Sequence, residues 1–131
     1  MYVGGVFDLF HIGHLRLLKR AKKEGDYLSV GVLTDKAAER WKRKPIFPFK
    51  QRAEIVAEFA DLVIPQRDVD ETKNDFIALI NPDVIVHGND KKPFSWWWAK
   101  KNKRKVVMVP YTKEVSTTEI IQKIWNQKNC R

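Results

Sequence analysis

The chain has 131 residues, 44% of them hydrophobic, with one cysteine and 25 Lys plus Arg against 16 Asp plus Glu, a formal charge of +9. That length suits one compact domain, and the apolar fraction argues against a disordered chain. Cys130 has no partner for an internal disulfide, no Cys/His cluster has zinc spacing, and no apolar run approaches the roughly 20 residues of a spanning helix.

Strand-like and helix-like segments alternate along the chain. Met1 to Phe7 reads as a short buried strand. From His14 to Lys23, Leu15, Leu18 and Ala21 recur at helical spacing, and Gly25 stops the helix. Tyr27 to Leu33 is a second strand, and Trp41 to Phe49, with two prolines and three basic residues, a mobile loop. Arg52 to Phe59 is a helix, and Leu62-Val63-Ile64 a third strand closed by Pro65. A helix ends over Phe76 to Ile80. Val84 to Val86 and Val106 to Val109 are the fourth and fifth strands, and Ser116 to Trp125 is a last helix with Ile120, Ile121 and Ile124 on its apolar face. Unalternated apolar strands separated by helices predict an α/β, Rossmann-like, doubly wound five-stranded parallel sheet, in one domain covering 1–131. In such a sheet ligands bind beyond the carboxyl ends of the strands, where the winding reverses.

Two stretches concentrate the charge. Lys36 to Arg52 holds seven basic residues and one acid; Lys91 to Lys105 holds seven and none. Each suits a polyanion, and each also reads as a solvated surface. Trp96-Trp97-Trp98 cannot all face inward on one helix. One or two pack on the core; otherwise the run serves a dimer contact, base stacking or a lipid-like acceptor. The start, Met1 to Gly5, lacks the shape of a signal peptide, and a reducing cytosolic setting is expected.

Three motifs fall at predicted strand ends. Gly4-Gly5-Val6-Phe7-Asp8-Leu9-Phe10-His11-Ile12-Gly13-His14 joins the first strand to the first helix. A helix N-terminus, histidine N–H donors and a glycine admitting close approach together bind and polarise a phosphoryl group. Ser116-Thr117-Thr118-Glu119 opens the last helix as an N-cap with a capping-box glutamate; its hydroxyls also make a phosphate cradle. His87-Gly88-Asn89-Asp90 after the fourth strand is turn chemistry placed where a ribose or base would be met. His87 itself reads as a structural histidine.

The first string resembles the signature of the cytidylyltransferase-like nucleotidyltransferase superfamily, and its His-X-Gly-His is shared with class I aminoacyl-tRNA synthetases. Ser116-Thr117-Thr118 resembles that superfamily's second phosphate-binding signature. Over nearly the whole chain, the order and spacing of elements are similar to the bacterial glycerol-3-phosphate cytidylyltransferases. The resemblance implies that His11 and His14 contact the phosphates and stabilise charge at the α-phosphorus, with Gly5, Val6 and Phe7 beside them. It implies a loop lysine on the phosphates, Lys42 or Lys44, and a role for Arg52 near the acceptor. Asp8 would lie by the acceptor or support the loop. Gly88 and Asp90 would meet the nucleotide, and Ser116, Thr117 and nearby Thr112 the β- and γ-phosphates. It implies magnesium bridging phosphate oxygens without a protein metal site, a nucleoside triphosphate and a phosphorylated acceptor as partners, and a homodimer.

Three departures bear on substrate choice. Val6 stands where the family often has threonine. Tyr111-Thr112-Lys113-Glu114 replaces an Arg-Thr-X-Gly pattern. Lys42-Arg43-Lys44-Pro45-Ile46 is also similar to archaeal adenylyltransferases that make FAD from FMN, so ATP stays open beside CTP, with FMN or a sugar phosphate as acceptor. A non-catalytic nucleic-acid-binding module is the rival reading of the charge, but no helix-turn-helix, RNA-recognition or zinc pattern accompanies it, and no nucleic-acid partner is expected. A dehydrogenase would need Gly-X-Gly-X-X-Gly after the first strand, which is missing.

Overall fold

The computed structural model describes residues 1–88, 91–110 and 116–129. Five parallel strands form one sheet: β1 (Tyr2–Gly5), β2 (Ser29–Leu33), β3 (Leu62–Gln66), β4 (Val84–Gly88) and β5 (Lys105–Val109), in the order β3-β2-β1-β4-β5. Six α-helices connect and flank them: α1 (Ile12–Lys22), α2 (Asp35–Trp41), α3 (Phe49–Ala57), α4 (Phe76–Ile80), α5 (Trp96–Lys101) and α6 (Thr117–Asn129). The order is that of a doubly wound sheet, and the winding reverses between β1 and β4. A crevice at the carboxyl ends of those two strands is the geometric consequence.

Period-two alternation assigns the two faces. On one, Val3, Val30, Val32, Val84, Val86 and Val109 pack with Leu18 and Ala21 of α1 and Val56 of α3. On the other, Tyr2 and Ile85 pack with Ile77 of α4 and Ala99 of α5. Each fully buried valine contributes about 1.5–3 kcal/mol of transfer free energy. Tyr2 needs unusual room. Its ring crosses the sheet above Gly4 and Gly31, and its hydroxyl donates to Gln66 Oε1. A Cβ on Gly31 would stand 2.6 Å from that Gln66 oxygen and closer still to the hydroxyl.

Several local expectations change. The third strand does not end at Pro65 but runs to Gln66, with Pro65 opposite Val32. An edge strand tolerates a residue that cannot donate, and β3 is an edge. Helix α2 occupies the beginning of the basic stretch, with Thr34 Oγ1 accepting from the Ala37 N–H as its N-cap. Within Trp41 to Phe49, expected to be a mobile loop, Arg43, Ile46 and Phe47 donate to the Asp8 carboxylate. On α6, Ser116 Oγ accepts from the Glu119 N–H as expected. Its apolar face is only half covered, however: Ile124 and Trp125 remain exposed. Of the three tryptophans, Trp98 packs with the Tyr2 cluster, Trp96 is half-buried and Trp97 is 75% exposed.

Candidate active site

The β1–α1 turn is built by strain and capping. Phe7 (φ 56°) and Leu9 (φ 48°) adopt left-handed backbone, a conformation that costs a non-glycine residue of order 1 kcal/mol or more and gathers at functional sites. The turn feeds α1 through a reciprocal cap made of two histidines. His11 Nδ1 accepts from the Gly13 N–H at 3.0 Å, and His14 Nδ1 accepts from the His11 N–H at 3.2 Å. A neutral imidazole that accepts at Nδ1 carries its proton on Nε2. The backbone thereby fixes both rings in the tautomer that donates from its outer nitrogen.

The rings stack with centroids 3.8 Å apart, and Phe7 and Phe10 lie 5.4 Å from His14. Burial lowers the His11 pKa. In His14, burial and then the neighbouring His11 lower it to about 3, against a smaller opposing effect of Asp8. Both rings are therefore neutral donors near pH 7.

Asp8 turns away from this donor pair. It is 2% exposed, and its carboxylate gathers four N–H donors. Oδ1 accepts from the N–H groups of Leu9 (3.1 Å) and Phe47 (2.9 Å); Oδ2 accepts from the Ile46 N–H (2.7 Å) and Arg43 Nη1 (3.3 Å). Burial pushes its pKa up, but the Phe47 and Ile46 amides and Arg43 outweigh that and hold it below the ordinary aspartate value. Of the two roles considered for Asp8, this geometry is that of a support for the basic loop.

Arg52, expected beside an acceptor, is engaged within the fold. It is 0% exposed and lies outside the cavity wall described below. Its guanidinium donates to the carbonyls of Phe47 (2.9 Å), Val6 (2.7 Å) and Leu33 (2.8 Å) and to Asp35 Oδ1 (2.7 Å). A buried cation persists when its donors are matched in this way. It ties the ends of β1 and β2 to the loop.

These elements enclose a cavity of about 480 Å³ at the carboxyl ends of β1 and β4. Gly5, Val6, Phe7, Asp8, His11 and His14 line one side. Gly88 at the end of β4 and Ser116 and Thr117 at the start of α6 also reach it. The Thr117 hydroxyl donates to the Asp8 carbonyl at 2.7 Å, which couples the α6 N-terminus to the β1–α1 turn. With that proton engaged and the Glu119 N–H held by Ser116 Oγ, the donors α6 can offer an anion at this end are the N–H groups of Thr117 and Thr118.

Between the two candidate lysines the structure favours Lys42. Both lysines are exposed, but Lys42, with Arg43, lines the cavity and Lys44 lies outside its wall. Asp90 and Thr112 lie outside the described residues. His87 is satisfied locally, its Nδ1 lying 2.9 Å from the Gly88 carbonyl.

Trp41 belongs to no motif in the sequence. It ends α2 at the cavity wall, with the ammonium groups of Lys42 and Lys91 5.0 and 5.5 Å from its ring centroid. An aromatic residue at a helix end, just before a basic loop, was the available signal.

Among the described residues lining the cavity, Asp8 is the one carboxylate, and it faces the loop. The donor set is otherwise N–H groups, imidazoles and cations. Such a set binds a polyphosphate.

Comparisons with known proteins agree with this geometry. A family model described as cytidylyltransferase-like matches residues 2–123. A glycerol-3-phosphate cytidylyltransferase of Bacillus subtilis is 37% identical over 126 residues, covering 92% of each chain. The Staphylococcus aureus protein of that name is 33% identical, covering 94% of this chain and 92% of its own length. The bifunctional protein HldE of Yersinia pestis is 37% identical over 131 residues, and the match spans 27% of its length. Among solved structures, a lipopolysaccharide core biosynthesis protein from Thermoplasma volcanium superposes with a TM-score of 0.68 at 32% identity, over 86% of this chain and 94% of that one.

Proposed function

The chain belongs to the cytidylyltransferase-like family, and on that premise we propose that this nucleotidyltransferase moves a cytidylyl group from CTP to a phosphorylated acceptor such as glycerol 3-phosphate, releasing pyrophosphate. The observation that carries the reading is the convergence on one cavity of two backbone-fixed histidine donors, the α6 N-terminus and the cations Lys42 and Arg43. Full-length similarity to two glycerol-3-phosphate cytidylyltransferases supports the choice of base and acceptor.

The reaction is an in-line displacement. An oxygen of the acceptor phosphate bonds to the α-phosphorus as the bond to the bridging oxygen breaks, and that oxygen leaves with pyrophosphate. No covalent enzyme intermediate is needed, so the protein supplies position and charge stabilisation. His11 and His14 donate from Nε2 to the oxygens on which charge grows. The α6 N-terminus and Lys42 hold the leaving phosphates, and Asp8 holds the loop that presents Lys42 and Arg43.

Magnesium belongs to the same proposal. Among the described residues no cluster of three His, Cys, Asp or Glu side chains could hold a metal, and both Asp8 oxygens are engaged by N–H donors. An ion carried in on the triphosphate would need no carboxylate of the described residues. Bound there, it would neutralise charge on the leaving pyrophosphate.

Two further elements complete the proposal. A homodimer is proposed because the edge strand β3 and α4 leave Leu62 and Leu79 exposed around a second groove; light scattering tests it. A cytosolic setting accords with the single cysteine, and no described helix is long and apolar enough to cross a membrane.

The decisive experiment is a pyrophosphate-release screen crossing CTP, ATP and the other triphosphates with glycerol 3-phosphate, FMN and sugar phosphates. Release that depends on CTP and glycerol 3-phosphate is the expected result. Release only with ATP would replace the base, and no release with any pair would overturn the reading.

A further inference from the structure

Helix α5 presents a surface that the nucleotide cavity does not use. Its inner side is anchored, with Ala99 buried and Trp98 packed against the Tyr2 cluster. Its outer side carries Trp97, 75% exposed, with Lys100 and Lys101 three and four positions on, which places all three on one helix face. Phe94, just before the helix, is 50% exposed. The ring of Trp97 meets that of Trp96 edge-on at 4.6 Å. The ammonium groups of Lys92 and Lys100 lie 4.1 and 5.1 Å from the Trp96 centroid. These contacts gather Trp96, Trp97, Lys92 and Lys100 into one patch, with exposed Phe94 two residues before the helix.

The charge of the patch is one-sided. From Lys91 to Lys105 there is no acidic residue. Arg104 of this stretch pairs with Asp83, and Lys105 with Glu24. Lys92, Lys100, Lys101 and Lys103 are exposed.

We propose that this α5 surface docks on a bilayer carrying anionic headgroups, with Phe94 and Trp97 inserted at the interface and the four lysines over the headgroup phosphates. An amphipathic ring is suited to the boundary between headgroups and acyl chains, and lysines beside it draw on the negative surface potential. A single-stranded nucleic acid fits less well. Cations already cover Trp96, which meets Trp97 edge-on, so the two rings do not form a stacked platform for successive bases. The surface adjoins the cavity, since Lys91, next to Lys92, lies over Trp41 in the cavity wall. Docking would hold the active site against the membrane.

Co-sedimentation of the full chain with vesicles of phosphatidylglycerol and phosphatidylcholine, against phosphatidylcholine alone, tests the inference at physiological ionic strength. The chain should sediment with the anionic vesicles only. Phe94→Ser with Trp97→Ser, and separately Lys100→Glu with Lys101→Glu, should each lower the partition coefficient about tenfold or more. None of these residues lines the cavity, so pyrophosphate release in solution should be unchanged. Three results would each overturn the inference: no binding to anionic vesicles, full binding by the serine double variant, or displacement from vesicles by a single-stranded oligonucleotide at lower concentration than lipid.

Discussion

Substituting Asp8 by asparagine isolates the support of the basic loop with almost no change of shape. The carboxylate accepts two N–H donors on each oxygen. Asparagine keeps one acceptor oxygen and turns the other into a donor. If the NH₂ replaces Oδ2, it faces the Ile46 N–H and Arg43; if it replaces Oδ1, it faces the N–H groups of Leu9 and Phe47. Either orientation leaves two donors without an acceptor. A buried unsatisfied backbone donor costs about 1–3 kcal/mol, so Asp8→Asn should lose about 2–4 kcal/mol of stability. That is within the 5–15 kcal/mol typical of a folded domain, so the variant should remain folded at about 25 °C. The catalytic effect should be larger. The loop brings Lys42 and Arg43 to the cavity, and displacing positioning groups by about 1 Å can cost about 100-fold in rate. Urea unfolding measures the first effect, and pyrophosphate release at saturating CTP the second. Stability within about 0.5 kcal/mol of the parent, together with turnover within about twofold, would refute the support role.

Three other perturbations probe separate parts of the structure. His14→Ala should stay folded by circular dichroism yet lose turnover by about 100-fold or more, as when a charge-stabilising donor is removed; near-normal pyrophosphate release would contradict the assigned chemistry. In the parent, His14 should remain neutral down to about pH 3 by NMR titration. The unfolded chain protonates this histidine near pH 6.5, so its contribution to stability is complete above that pH and declines as pH falls toward 3.

Glu71 has the opposite sign. Burial raises its pKa from 4.5 to about 7, and its Oε2 has no hydrogen-bond partner among the described residues. Between those values the folded state keeps a proton that the unfolded chain releases, so stability is highest below pH 4.5 and falls as pH rises to 7, by about 3 kcal/mol in all. Glu71→Gln, permanently neutral, should therefore be more stable than the parent at pH 8; a less stable variant there would show that the carboxylate is accommodated. Gly31→Ala should destabilise by about 1–3 kcal/mol, because its methyl meets the Tyr2 hydroxyl and Gln66, and thermal unfolding at unchanged stability would show that the pair can move aside.

The sequence by itself settled what repeats or is local. Unalternated apolar runs separated by helices specified a parallel sheet, because strands covered on both faces need few polar positions. The string from Gly4 to His14 located the principal site, because a helix N-terminus and its caps are made by neighbours in the chain. Ser116 was legible as a cap for the same reason. What the tertiary structure decided are roles that depend on donors and acceptors brought from far away. Asp8 reads as a candidate ligand until Ile46 and Phe47, 38 and 39 residues on, are seen to consume its oxygens. Arg52 reads as a substrate contact until its guanidinium is found among three carbonyls and Asp35. Trp41 and Arg43 enter the cavity wall only because α2 and the following loop fold back over β1. A charged side chain contributes to binding only when its hydrogen-bonding capacity is not already spent within the fold, and that partition is a property of three-dimensional proximity.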